Sequence, residues 1–153
     1  ISGSGKNIRK LAAKVCSFVK SQIFPKTQRV LLNVELIQNL SGKEGVLGDC
    51  LDEDDREFTV RVDSLQNDTA FIKTLCHELV HVKQYAKNEL RQSRSDRMSF
   101  KGKTFSTDTD YMKRPHEKEA YELEDVLASQ FLQINGDNIG YKITNTNFQK
   151  FPL

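Results

Sequence analysis

The sequence predicts a small α+β domain: an N-terminal helix, a small mostly antiparallel sheet and two long helices. Three observations carry that expectation. Apolar residues recur at helical spacing early in the chain, again after Asp68, and again after Pro115. The stretch EFTVRVD, residues 57–63, alternates Phe58, Val60 and Val62 against Thr59 and Arg61, the period of a half-buried strand. Pro25, Pro115 and Gly136 punctuate the helical stretches where starts and stops are needed.

Taken in order, NIRKLAAKVCSFVKSQIF places Ile8, Leu11, Ala12, Val15, Phe18, Val19 and Ile23 on one helical face, and Pro25 closes it. RVLLNVELIQNL is rich in Val, Leu and Ile and reads as a strand. SGKEGVLGDCLDEDD reads as a loop with a short strand near residues 46–51. After EFTVRVD, Asp68 is the expected N-cap of a long helix whose core row is Ile72, Leu75, Leu79, Val82 and Ala86. The polar stretch from Ser93 to Lys113 reads as a loop with one hairpin, MSFKGKTFS. Pro115 fits the first turn of the next helix, which Asn135 and Gly136 stop. The tail YKITNTNFQKFPL has no legible pattern.

At 153 residues the chain is expected to form a single domain, 1–153, with a core that needs no disulfide staples. Residues 1–5 read as a linker or loose terminus, and SGSGK is too short for a phosphate loop. The chain begins with Ile rather than Met, as one domain of a longer protein would. Lys and Arg number 23 against 21 Asp and Glu, for a net charge of +2. Charge so balanced gives no electrostatic reason to expect nucleic acid or a membrane as the main partner. The three cysteines, Cys16, Cys50 and Cys76, show no CxxC spacing, which favours a reducing compartment such as the cytoplasm. No transmembrane segment or signal peptide is visible.

The informative stretch is TLCHELVHVKQY, residues 74–85. His77 and His81 are four apart, so a helix projects both from one stripe, where their ring nitrogens can share an ion. Glu78 is rotated by about 100° and stands beside that ion, where a general base belongs. This HExxH pattern is rare by chance: a shuffled chain with 3 histidines gives roughly 0.004 matches. Both histidines lie off the core row of the helix. A catalytic zinc needs a third protein ligand and an open position. The candidates are His116, Glu117, Glu119, Glu122 and the cysteines. Cys76 reads as a core residue, whereas Cys50 can approach the ion without its spacing requiring it. In PHEKEAYELEDVLA, residues 115–128, the strip His116, Glu119, Glu122 can face the ion. Glu119 would then be the ligand, with Glu117 as the alternative.

HELVH, followed on a second helix by EKEAY, resembles the gluzincin zinc peptidases, in particular the minimal gluzincins and small phage-type or bacterial metallopeptidases. The resemblance covers residues 58–131. It implies a zincin-like fold, one catalytic Zn2+, a helical glutamate followed by alanine as third ligand (here Glu119), and EFTVRVD as the edge strand offered to a peptide. It departs at Leu123, where such enzymes often carry an acidic or small residue that orients a histidine. The SprT-like group is a second, weaker comparison, because it uses a third histidine soon after the motif and only His116 remains here.

The expected activity is hydrolysis of peptide bonds in a protein or peptide substrate. Zinc would acidify its water and polarise the carbonyl, and Glu78 would act as general base. Tyr111 and His116 are the candidate donors to the oxyanion. Tyr121, two residues beyond Glu119, is expected to point away. Two other classes remain: a catalytically inactive zinc-site binding module, and a nucleic-acid-associated protease domain using Arg91, Arg94, Arg97, Lys101 and Lys103 as a basic arm.

Overall fold

The computed structural model describes residues 1–136; the expected stop at Gly136 falls within them and the patternless tail outside. Among these residues the fold is α+β, with four helices and two small three-stranded sheets. Helix α1 (Lys6–Ile23) buries Leu11, Ala12, Val15, Val19 and Ile23. It ends where Phe24 turns extended ahead of Pro25. Strand β1 (Leu31–Ile37) follows. The strand expected to run to Leu40 stops at Ile37, and the short helix α2 (Leu40–Glu44) occupies its last residue and the start of the expected loop, with Asn39 in the left-handed region capping Gly42 N–H. Then come β2 (Gly48–Asp52) and β3 (Glu57–Asp63).

Helix α3 (Asp68–Ala86) carries the HExxH stretch. Its N-cap is Asn67 rather than Asp68: Asn67 Oδ1 accepts the Ala70 N–H at 2.9 Å. Asp68 instead supplies negative charge to the first turn, where the helix dipole favours it. Every residue from Leu75 to Gln84 is buried, because α3 is wedged between the first sheet, α1 and the last helix. The expected row Ile72, Leu75, Leu79, Val82 and Ala86 lies in the core with Phe58, Val60, Phe71 and Phe131. Truncating Phe71 or Phe131, both fully buried, would cost about 3–5 kcal/mol.

The first sheet has the order β1-β3-β2, with β1 parallel and β2 antiparallel to β3. EFTVRVD is thus the central strand and not the edge. It is covered on both faces, burying Thr59 and Asp63 as well as Phe58, Val60 and Val62. The outer side of β1 is occupied by Ser2, which bonds Val34 O and Leu36 N–H at 2.9 Å each. The terminus is therefore docked at Ser2 and Gly3, and Gly3 is required, since a Cβ there would lie 2.1 Å from Leu36 O. The exposed edge belongs to β2. Asp63 N–H bonds Leu47 O and Glu53 N–H bonds Glu57 O, and with the register this directs the backbone groups of Gly48, Cys50 and Asp52 away from β3.

The second sheet is a meander of β4 (Leu90–Arg94), β5 (Arg97–Phe100) and β6 (Lys103–Ser106). The expected hairpin is β5-β6; β4 is an addition. Leu90, Met98, Phe100 and Phe105 share one face by register, and Phe100 and Phe105 pack on His116. A 3-10 turn (Tyr111–Lys113) leads into helix α4 (Pro115–Asn135), with Pro115 in its first turn as expected. Cys16, Cys50 and Cys76 are all free thiols. No helix among the described residues is long and apolar enough to cross a membrane.

Candidate metal centre

His77 and His81 project from α3 onto α4, as their i, i+4 spacing requires. Their Nε2 atoms lie 3.1 Å apart. The carboxylate that joins them is Glu117: its Oε2 is 3.1 Å from His77 Nε2 and 3.3 Å from His81 Nε2. These three residues, all buried, are the group that could hold a metal ion. Glu119, the expected ligand, points elsewhere. Its Oε1 is 2.8 Å from Lys83 Nζ and its Oε2 is 2.6 Å from Lys101 Nζ. Two residues along a helix are a rotation of about 200°, so Glu117 and Glu119 cannot both face the histidines. Glu122 is exposed and lies on the Glu119 side with Lys83 and Lys101. The strip that faces the histidines is Glu117, Tyr121 and Glu124.

Each histidine is fixed through its other nitrogen. His77 Nδ1 is 2.8 Å from Glu124 Oε2, and His81 Nδ1 is 2.8 Å from Gln84 Oε1. Gln84 is fully buried and its amide donates to His116 O at 2.9 Å, which sets the orientation of its carbonyl. A carboxylate and an amide oxygen only accept, so both Nδ1 atoms carry hydrogen and both Nε2 lone pairs face Glu117. Three acceptors at 3.1–3.3 Å with no donor among them repel one another, and the cluster requires positive charge. A proton meets that need in part. Burial pulls the His77 pKa down, but Glu117 and Glu124 overcome this and hold it at about 9. Burial likewise pushes Glu117 up, and the surrounding His116, His77 and His81 bring it far below the usual carboxylate range. A tetrahedral zinc with bonds of 2.0–2.1 Å would set ligand atoms about 3.3 Å apart, so these residues fit such an ion.

Glu78 is buried beside this cluster, and burial raises it to about 7 against the opposing pull of His81 and His77. It lines a cavity of about 430 Å³ with Gly48, Thr74, His77, Tyr111, Tyr121 and Glu124 among others. Gly48 makes room for it: a Cβ there would fall 3.1 Å from Glu78 Cγ and 2.9 Å from Thr74 Cγ2. The free edge of β2 therefore begins beside Glu78.

Of the two expected oxyanion donors, Tyr111 shares the cavity with Glu78. Tyr111 is exposed overall, but partial desolvation of its hydroxyl and its contact with the Glu117 carboxylate push its pKa up and keep the phenol protonated. His116 lies outside that cavity. Its Nε2 is 3.4 Å from Glu117 Oε1, its ring stacks on Phe105, and its Nδ1 is buried without a hydrogen-bond partner among the described residues. Tyr121, expected to point away, sits with its ring centroid 4.7 Å from that of His77. Cys76 is a core residue. Cys50 is half-buried against the core, where burial together with Glu78 pushes its thiol well up, and it is not among the residues that come together as the candidate ligand group. Sequence reasoning missed Gln84, Tyr121 and Glu124. The available signal was their spacing: Gln84 is three after His81, and Tyr121 and Glu124 are four and seven after Glu117. Comparison of the chain with protein-family models, curated proteins and solved structures finds no match.

Proposed function

We propose that this chain is a zinc-dependent peptidase in which Glu78 is the general base. The observation that carries this reading is the convergence of His77 Nε2, His81 Nε2 and Glu117 Oε2 within 3.3 Å, beside a buried carboxyl near neutrality. Two imidazoles and one carboxylate suit zinc better than magnesium or calcium, which prefer all-oxygen shells. An ion held there supplies Lewis acidity, acidifying water and polarising a carbonyl.

The chain's own groups do the rest. Glu78, with a pKa close to the working pH, takes a proton from the attacking water. The water oxygen bonds to the carbonyl carbon, the C–N bond breaks, and the proton passes from Glu78 to the departing nitrogen. Tyr111 faces the same cavity with its hydroxyl hydrogen retained and is the donor for the developing oxyanion. The outward backbone groups of Gly48, Cys50 and Asp52 can pair with an extended peptide as an added strand.

The test joins metal analysis to cleavage of an unstructured protein, with and without chelator. Expected are one zinc per chain, chelator-sensitive cleavage, and a Glu78→Gln variant that keeps the metal and loses hydrolysis. Stoichiometric zinc with no cleavage of any substrate tried would instead make the chain a metal-binding module. Full activity in Glu78→Gln would remove Glu78 from its assigned role.

A further inference from the structure

The overall charge of +2 conceals a segregation. The first 30 residues contain seven Lys and Arg (Lys6, Arg9, Lys10, Lys14, Lys20, Lys26 and Arg29) and no Asp or Glu, so the rest of the chain is net negative. All seven are exposed. None of their side chains meets a carboxylate or any other partner among the described residues. Five belong to α1. The helix turns its apolar stripe, Leu11 to Ile23, into the core, and at 100° per residue Lys6, Lys10 and Lys14 line the middle of the opposite face with Arg9 and Lys20 on its flank. Small residues, Ala13, Ser17 and Ser21, lie between them.

This arrangement costs stability. Lys6–Lys10 and Lys10–Lys14 are like charges at i, i+4, which repel. The first turn has no acidic residue and Gly5 offers no side-chain cap, so cations stand at the positive end of the helix dipole. A surface that only had to be soluble would place Glu among these lysines.

We infer that the outer face of α1 docks the phosphodiester backbone of duplex nucleic acid. Charge complementarity selects a polyanion. The strip from Lys6 to Lys20 extends about 21 Å along the helix axis, which matches a linear array of phosphates. The helix has already committed its apolar face to the core, so nothing on the outer face can enter a bilayer, and stable membrane attachment needs more than one signal. No aromatic side chain lies on the strip, so contacts go to the backbone and carry no sequence preference. This inference does not depend on the hydrolytic reading.

The experiment measures binding of the full chain to a fluorescent DNA duplex across a salt series, with anionic phosphatidylserine vesicles and poly-glutamate as parallel probes. Five cations set a bound of about −4.5 on the slope of log affinity against log salt. The variant Lys6→Gln/Lys10→Gln/Lys14→Gln is expected to flatten the slope by about 2.7 and weaken binding at low salt at least tenfold. Its melting temperature should be equal or higher, because repulsion is removed. Absence of duplex binding, or a slope that the variant leaves unchanged, would overturn the inference. So would tighter binding to the vesicles or to poly-glutamate than to the duplex.

Discussion

His77 Nδ1 lies 2.8 Å from Glu124 Oε2, across the α3–α4 interface. The carboxylate fixes the histidine's tautomer and aims the opposite nitrogen at His81 and Glu117. Glu124→Ala is therefore expected to lower zinc affinity about 10–100-fold, read by chelator competition. Glu124→Gln retains an acceptor oxygen and should recover much of the loss. Equal losses in both variants would show that the residue matters for packing rather than for aiming His77.

Glu117 and Glu119 make a paired prediction, since one helix sends them to opposite sides. Glu117→Gln should abolish stoichiometric zinc binding while leaving the fold intact. Glu119→Gln should leave zinc bound and destabilise the chain by about 1–3 kcal/mol, because buried Lys83 loses one of its two carboxylates, Glu89 being the other. Metal content and denaturant midpoints of the two variants check this together. Loss of metal in Glu119→Gln alone would reverse the assignment.

Why the two glutamates were confused is physical. Periodicity gives the angle between residues on a helix and not the helix's absolute rotation. The rotation of α4 is fixed by Leu127 and Phe131 in the core and by Lys83 and Lys101 drawing Glu119 outward, all long-range partners. His77, Glu78 and His81 were legible because their relation is internal to one helix. The alternation in EFTVRVD revealed a strand, but Arg61 on its far face is held by Glu44 and Asp49 from other elements, so exposure of that face could not be inferred. Asn67 outcompeted Asp68 as the cap by one position, a boundary set by which backbone N–H its side chain can reach.

Gly48 offers a test of the cavity. A Cβ at this position would meet Thr74 Cγ2 at 2.9 Å, Arg61 O at 3.0 Å and Glu78 Cγ at 3.1 Å. Arg61 O belongs to the central strand and cannot yield, so Glu78 or β2 must move. Gly48→Ala is expected to cost about 1–3 kcal/mol. It should lower kcat for peptide hydrolysis at least tenfold while zinc content stays at one per chain. Unchanged kcat would mean that Glu78 tolerates displacement and that its position is not held by this contact.

The acid sensitivity of the fold should run through Asp63, which is buried at the end of β3. Its Oδ2 accepts the Ser41 N–H at 2.8 Å and the Ser41 hydroxyl at 2.7 Å, and its Oδ1 accepts the Leu65 N–H at 2.9 Å. Burial pushes its pKa up, but these donors outweigh it and the carboxyl ends below its ordinary value. A carboxyl held below its unfolded value binds fewer protons folded than unfolded. Its stabilisation is thus complete above about pH 4, the unfolded value, and is lost as pH falls towards the folded pKa. Asp63→Asn places an amide nitrogen or a weaker oxygen against these donors. At neutral pH it should be less stable by about 1–3 kcal/mol. That deficit should shrink as pH falls below about 4, where the unfolded carboxyl takes up a proton that the native one, with its lower pKa, does not. Denaturant unfolding of both proteins in chelator between pH 7 and pH 3 separates this effect from protonation of metal ligands. A deficit that stays constant across the series would mean that the Asp63 contacts act through shape and not through charge.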